Sequence, residues 1–287
     1  MNNILSGLDE LGFSDINHVE LYTKNSENEN KDKELAEQNI QKEMSYLYDK
    51  KIICPVCGAN FTVKAIKTSS YKMKSKDSDF FIKYELINPY FYDVWICNDC
   101  GYSAMKADFE KIKSFQKELV KTNITSKWKG RSYSVPYDIN TAIERYKLSL
   151  LNYFYIEAKS SKKAMNCLKL AWLFRMLEDT KSEQDYLIQA LKGFDEAYFN
   201  EDFPIYGMNK FTVMYLIGEL HRRLGNTEDA LLWFGNVITS SNSPKKIKDM
   251  AREQKDLIKK PNILEEEDSS QSNSSKKKGF FSSFFSR

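Results

Sequence analysis

Four of the five cysteines in this chain of 287 residues fall in two matching pentapeptides, CPVCG at residues 54–58 and CNDCG at residues 97–101. Two such knuckles supply the four thiolates of a tetrahedral structural zinc site, with Zn–S distances of about 2.3 Å. The glycine after each second cysteine suits the left-handed backbone that this turn requires. The sequence therefore predicts one structural Zn²⁺ held by Cys54, Cys57, Cys97 and Cys100.

Three other uses of these cysteines fit the sequence less well than a closed structural site. A rubredoxin-like iron site has similar knuckles, but its fold is compact, whereas the loop over residues 58–96 is long and rich in lysine. A redox motif needs one C-x-x-C pair, and this chain has two. A catalytic zinc keeps an open position and usually a histidine ligand, and both histidines, His18 and His221, lie away from the knuckles. We expect Cys167, the remaining cysteine, to be a buried apolar residue.

Composition and the N-terminus narrow the class of protein. The N-terminal MNNILSGLDELGF lacks the basic region of a signal peptide. No run approaches the roughly 18 apolar residues of a membrane span. Because cytosolic thiols stay reduced, paired cysteines there favour metal binding over disulfides. We therefore predict a cytoplasmic protein, and its net charge of +3 is too small to indicate nucleic-acid binding by itself.

The chain changes character along its length, which predicts an α+β fold. FTVKAIKT alternates with period two and YFYDVWIC is aromatic and β-branched, so both favour strands, and the loop between the knuckles is long enough for a β-hairpin. The predicted parts are an N-terminal segment with a linker and a helix (1–49), a zinc ribbon (50–105), a helical half (106–260) and a disordered tail (261–287).

The helical half contains a pattern typical of tetratricopeptide repeats. In residues 214–244, Gly218 is the small residue at the helix approach, LGN forms the turn between helices, and Ala230 and Phe234 follow at the spacing of the second helix. Residues 161–200 are a degenerate copy. The predicted helices cover residues 139–158, 161–178, 182–200, 208–224, 227–241 and 244–259. A short α-solenoid is the preferred interpretation, and an ordinary helical bundle is the alternative.

The order of these parts resembles a bacterial family, common in clostridia and relatives, that is catalogued as a domain of unknown function. The resemblance covers roughly residues 50–245 and depends on CPVCGANF and DSDFFIKYELINPYFYDVWICNDCGYSA, followed by the helical half. It implies a zinc-binding ribbon followed by repeats, without an established activity. The first 45 residues and the KKKGFFSSFFSR tail lie outside it.

We expect a non-enzymatic adaptor that binds a protein partner. The sequence has no Gly-rich phosphate loop, no G-x-S-x-G and no H-E-x-x-H. The DSDFF segment at residues 77–81 is explained by a turn with a local hydrogen bond. Repeat arrays hold peptides in a groove lined by their first helices. The candidate partner-binding residues are Arg175, Tyr215, Glu219, Arg222 and Arg223.

Two further partners follow from charge and aromatic content. Lysines interleaved with aromatics are typical of single-stranded nucleic-acid binding, and acids interrupt this set, as on an ordinary solvated face. The first set is Lys64, Lys67, Lys72, Lys74, Lys76 and Lys83 with Tyr71, Phe80, Phe81 and Tyr84; the second runs from Lys106 to Arg131. In the tail, Phe280, Phe281, Phe284 and Phe285 behind three lysines would suit a peripheral membrane contact. A tail without function is the alternative.

Overall fold

The computed structural model describes the backbone of residues 37–274 and the side chains of residues 37–259. The chain divides into two units, Met1–Ser45 and Tyr46–Arg287. In the first unit, residues 37–45 form helix α1. The LAEQNIQKEMSYLY segment has helical spacing through Leu47, which predicts a helix that includes it, but Leu47 is the first residue of a strand. The four tail phenylalanines and most of the N-terminal segment lie outside the described residues.

The ribbon, residues 47–105, contains three antiparallel strand pairs. Its strands are β1 Leu47–Ile53, β2 Asn60–Ile66, β3 Met73–Lys76, β4 Ile82–Tyr84, β5 Val94–Ile96 and β6 Ser103–Met105, paired β1–β2, β3–β4 and β5–β6. Each cysteine knuckle is the turn of one outer hairpin, and β3–β4 is the hairpin predicted between them. The YFYDVWIC run is a strand only over β5, because Pro89–Tyr92 is a 3₁₀ turn whose Asn88 side chain accepts a hydrogen bond from Tyr90 N.

The helical half contains seven α-helices within the described residues: α2 Ser114–Asn123, α3 Ile139–Tyr155, α4 Ser160–Met176, α5 Thr180–Asn200, α6 Lys210–Arg223, α7 Thr227–Thr239 and α8 Lys245–Ser274. Helices α4 and α5 pack as one hairpin, α6 and α7 as the next, and α8 packs on α7. Antiparallel strand pairs are therefore followed by helices, which confirms the predicted mixture of β and α structure. Because α8 continues to Ser274, the boundary predicted at residue 260 falls inside a helix.

Local chemistry explains where these helices begin and turn. Asp138, Asp179 and Asn209 precede α3, α5 and α6, and each side chain accepts a hydrogen bond from a backbone N–H of the first helical turn. A Cβ at Gly218 would lie 3.0 Å from the Phe234 ring, so the small residue does permit the close approach of α6 and α7. Gly225, with φ of +80°, forms the turn between them. That these pairs form a tetratricopeptide-like solenoid stays a prediction.

One apolar core joins the ribbon to the helices. Tyr102, Met105 and Phe109 from the ribbon and its exit are fully buried with Tyr146 and Tyr153 of α3. The Tyr153 hydroxyl also accepts a hydrogen bond from Met105 N at 3.1 Å. The β5–β6 hairpin is therefore fixed on α3, and with it the second knuckle.

Candidate metal centre and the ribbon–helix interface

The two knuckles bring the four predicted cysteines into one cluster. The Sγ atoms of Cys54, Cys57, Cys97 and Cys100 all lie within 4.8 Å of one another. The Cys54–Cys100 and Cys57–Cys97 sulfur pairs are each 3.6 Å apart. A tetrahedron with metal–sulfur bonds of about 2.3 Å has sulfur–sulfur edges of about 3.8 Å. The cluster therefore has the size and the soft donor set of a closed metal site.

The two knuckles have the same backbone geometry. Cys54 O accepts a hydrogen bond from Gly58 N at 2.9 Å, and Cys97 O accepts one from Gly101 N at 2.8 Å. Gly58 and Gly101 have φ of +77° and +74°. This is the left-handed conformation that glycine adopts without a steric penalty, as the sequence predicted.

Protonation of the sulfur cluster is uneven in the absence of a cation. Hydrogen bonds from Cys100 and then Cys97 lower the pKa of the Cys54 thiol to about 4. The same contacts with Cys54 raise the pKa of the Cys100 thiol, because neighbouring sulfurs cannot all carry charge. A bound divalent cation would stabilise four thiolates together and would contribute folding free energy to the ribbon.

The second knuckle is covered by residues 125–131, which the sequence predicted only as part of the second basic set. Trp128 donates its Nε1–H to Asn98 O at 2.6 Å, and Thr125 donates its hydroxyl to Cys100 O at 2.9 Å. Arg131 N donates to the Asn98 side chain at 2.7 Å. The polar composition of this loop gave no signal of these contacts, since they join residues about thirty positions apart.

A second focus is the acidic turn, residues 77–81, which lies against α4 and α6. The turn is closed by a hydrogen bond from Phe80 N to Asp77 O at 3.0 Å, so the local-turn interpretation of DSDFF is confirmed. Asp79 is fully buried. Its carboxylate accepts hydrogen bonds from the Arg175 guanidinium at 2.6 Å and from Trp172 Nε1 at 3.0 Å.

Four of the five predicted partner-binding residues contact this acidic turn, and the fifth, Arg222, pairs with Glu219. Arg175 pairs with Asp77 and Asp79, and Tyr215 donates its hydroxyl to Ser78 O at 3.0 Å. Arg223 donates to the Ser78 hydroxyl at 3.1 Å and lies 3.4 Å from Asp79. Glu219, fully buried, pairs with Arg222 and Arg223 and accepts a hydrogen bond from Ser78 at 2.6 Å. These five residues therefore make contacts within the protein itself, and that they bind another protein stays a prediction.

Electrostatics explain why a carboxylate is tolerated at Asp79. Burial by itself would raise its pKa, but hydrogen bonds from Arg175 and the charges of Arg223 and Arg175 outweigh burial and lower it. Asp79 is therefore held as a charged group at neutral pH. Buried ions of this kind require partners, because removing a carboxylate from water costs several kcal/mol.

The lysines and aromatics predicted for nucleic acid are divided by the fold. Phe81 is 2% exposed and stacks on Trp172, and Phe80 packs on Tyr215. Phe81 is therefore closed to a stacking base, whereas Phe80 is half-buried, and nucleic-acid binding by this set stays a prediction. Several lysines are paired with acids: Lys64 with Asp49, Lys72 with Glu85, and Lys83 with Asp77. Tyr71, by contrast, is 42% exposed.

Fold and site together define a protein with a four-cysteine cluster that could hold a metal, formed by two β-hairpins and packed on a helical half. The chain belongs to the family described as "Uncharacterized protein conserved in bacteria (DUF2225)", which matches residues 47–258. A protein of Borreliella burgdorferi, described as "Uncharacterized protein", is 22% identical over 262 residues, covering 78% of this chain and 93% of the relative.

No solved structure matches the chain. The family match confirms the bacterial resemblance, while its frequency in clostridia stays a prediction. Among the described residues, the helices are too short or too polar to span a bilayer.

Proposed function

We propose that this chain is a non-enzymatic, zinc-binding adaptor of the cytoplasm that presents its helical half to a protein partner. The observation that carries the proposal is an aromatic surface on the side formed by α5 and α7. We define this outer face as Tyr198, Phe199, Leu232 and Trp233. Phe199 is 68% exposed and Leu232 is 62% exposed.

The outer face is preorganised by ring contacts. Tyr198 lies edge-on to Phe199 and to Trp233, with centroid distances of 5.1 Å and 5.2 Å. Rigid aromatic side chains are enriched among the residues that dominate binding energy at protein interfaces. Because the rings already contact one another, a partner would order few side chains on binding, which lowers the entropic cost.

The inner surface of α4 and α6 is a less favourable place for the partner than the sequence suggested. The acidic turn occupies it, and Tyr215 and Glu219 have no exposed surface. A partner at these residues would have to displace Asp79 from two arginines. The outer face requires no such rearrangement, so the proposal places the partner there.

Charge around the outer face indicates the kind of partner. Asp195 and Glu196 lie one helical turn before Phe199, and Glu228 and Asp229 lie one turn before Leu232 and Trp233. Lys210 Nζ also lies 5.2 Å from the Tyr198 ring centroid, so these charges are four acids and one base. An apolar centre with this acidic excess suits a basic amphipathic segment that inserts one or two apolar side chains. Rim charges of this kind mainly increase the association rate.

The experiment is cross-linked affinity capture from native cells with the full chain and two matched variants. Phe199→Asp alters the outer face, and Phe115→Asp changes a similarly exposed phenylalanine on α2. We expect one set of proteins to be retained by wild type and Phe115→Asp but lost with Phe199→Asp, and the purified partner to reproduce this in calorimetry. Equal capture by all three proteins would contradict the outer-face assignment. If capture is lost only with Arg222→Glu, the partner binds the inner surface of α4 and α6 instead.

Zinc is tested by elemental analysis of the native protein. We expect one zinc per chain, because the site has four sulfur ligands and no open position. Stoichiometric iron would contradict this part of the proposal. The tail contact with anionic membranes remains a proposal from sequence, tested by vesicle co-sedimentation with and without residues 276–287.

A further inference from the structure

A cleft on the ribbon combines aromatic walls with lysines. It lies between the β1–β2 hairpin, the turn at Pro89–Tyr92 and β5, and its volume is about 130 Å³. We define the aromatic cleft by Tyr48, Lys50, Tyr71, Trp95 and Lys106, which all line it. It is remote in sequence from the outer face and does not depend on the proposed function.

The walls of the aromatic cleft are partly open to solvent. Tyr48 and Tyr71 are 45% and 42% exposed, whereas Trp95 is 6% exposed and forms the floor. A cavity of about 150 Å³ accommodates a benzene ring. The cleft is therefore close in size to a cavity for one six-membered ring, and Tyr48 and Tyr71 both line it.

Its charge favours an anionic ligand. Lys50 Nζ lies 4.9 Å from the Trp95 ring centroid, and Lys106 Nζ lies 5.9 Å from that of Tyr71. Among the described residues, no carboxylate lines the cleft, and Lys50 has no ion pair. Lys106 is 3.7 Å from Asp93, but that buried carboxylate also pairs with Lys169 at 2.5 Å.

We propose that the aromatic cleft binds single-stranded nucleic acid, with one base stacked against Tyr48 or Tyr71 and adjacent phosphates contacted by Lys50 and Lys106. Stacking on aromatic side chains beside a basic surface is how sequence-tolerant proteins hold single strands. The proposed site does not include Phe80 and Phe81 of the acidic turn, which pack against helices. It lies around β1 and β5 of the ribbon.

The test measures fluorescence anisotropy of short labelled oligouridine and oligothymidine with the full, metal-loaded chain. The two strands distinguish RNA from DNA as the ligand. We expect Tyr71→Ala to weaken binding at least about fivefold, the lower end of the effect of losing one stacked base. Lys50→Glu should weaken it further and reduce the dependence of affinity on salt between about 50 and 200 mM.

Lys51→Glu is the matched control. Lys51 is the next residue of β1, is also exposed, and pairs in register with Thr62 on the opposite face of the hairpin. The variant has the same change in charge as Lys50→Glu. Because its side chain lies on the opposite face from the cleft, we expect its affinity to be close to that of wild type. An equal loss of affinity in Lys50→Glu and Lys51→Glu would mean that only the overall charge matters, and it would overturn the proposed site.

Three further results would overturn the proposal. The first is the absence of salt-dependent binding of either strand, and the second is unchanged binding by Tyr71→Ala. The third is full competition by a low concentration of a mononucleotide, which would identify a free nucleotide as the ligand. Unchanged metal content and thermal unfolding must accompany each variant. These controls separate loss of the cleft from loss of the fold.

Discussion

The two cysteine knuckles have the same local structure but are covered to different extents by the rest of the chain. In the first, Cys54 is 1% exposed, but Cys57 is exposed, and a Cβ at Gly58 would meet nothing within 4 Å. In the second, Cys97 and Cys100 are 0% and 2% exposed. A Cβ at Gly101 would lie 2.8 Å from the Trp128 ring. The first pentapeptide therefore lies partly at the protein surface, whereas the second attaches the ribbon to the helical half.

This difference separates what a motif determines from what the rest of the chain determines. The C-x-x-C-G spacing dictates the backbone turn and the direction of two sulfurs. Burial is imposed by Thr125, Trp128 and α3, none of which belongs to the motif. A metal bound between the knuckles would tie the peripheral β1–β2 hairpin to the anchored β5–β6 hairpin.

Loss of a sulfur ligand should have the largest effect, and the effect should differ between knuckles. We expect Cys97→Ser to abolish stoichiometric metal binding and unfold the ribbon, since structural zinc supplies on the order of 10 kcal/mol to small modules. Cys57→Ser should weaken metal binding but keep the fold, because water can reach the exposed position. Metal stoichiometry, chelator competition and hydrogen exchange of the ribbon amides measure both.

Helical content provides the control for both serine variants. The core of α4 to α7 is formed by apolar side chains and does not need the metal, so far-UV circular dichroism should change little. Equal metal loss in the two variants would mean that the surroundings of the knuckles do not influence the site.

The ribbon's second attachment, the acidic turn, should produce the next largest effect. Asp79→Asn removes the charge that Arg175 and Arg223 share, and breaking a buried pair costs about 3 kcal/mol. Asp77→Asn is the matched control, because Asp77 also contacts Arg175 but its side chain is 22% exposed, and a partly exposed pair contributes about 1 kcal/mol or less. Chemical denaturation of the metal-loaded proteins gives both values.

Acid should erase the difference between wild type and Asp79→Asn. Because the folded-state pKa of Asp79 is lowered, its contribution to stability is present above the unfolded pKa of about 3.9. It is lost as the pH falls through the lower folded pKa. The difference in unfolding free energy should thus be constant above about pH 5 and shrink on acidification below about pH 4. A difference that grows on acidification would contradict the assigned charge state.

Motif spacing and periodicity predicted the parts of the fold that local chemistry determines. The four cysteines, both left-handed glycines, the Gly218 approach and the Gly225 turn are all where the sequence placed them. Each depends on residues within a few positions or on a helix pair joined by a short turn. Such contacts are visible in a single sequence.

Long-range pairing was beyond the same reasoning. The acidic turn meets Arg175 almost a hundred residues later, and nothing in the DSDFF segment identifies that partner. The arginines of α4 and α6 were consequently predicted to bind another protein. Similarly, Leu47 and Tyr48 at the start of β1 were predicted to end the N-terminal helix, because the pairing of β1 with β2 across the first knuckle cannot be read from these residues.

The same substitution to alanine at Gly58 and at Gly101 compares the exposed knuckle with the covered one. Gly58→Ala should cost about 1 kcal/mol, the penalty for a side chain in the left-handed region. Gly101→Ala should cost about 3 kcal/mol, since overpacking against the Trp128 ring adds to that penalty. Thermal unfolding with saturating metal measures the two variants, and equal shifts would show that Trp128 yields without cost.

The smallest expected effect concerns the hydrogen bond that distinguishes the covered knuckle. Trp128→Phe removes the Nε1–H donated to Asn98 O but keeps an aromatic ring over Gly101, so we expect a loss of about 1 kcal/mol. Metal stoichiometry should be unchanged, because no ligand is altered. Denaturation in the Gly101→Ala background provides the decisive comparison. If the smaller ring relieves the steric contact, the double variant will be more stable than the sum of the two single losses, since residues in direct contact are not additive. Strict additivity would mean that the ring and the glycine do not constrain each other.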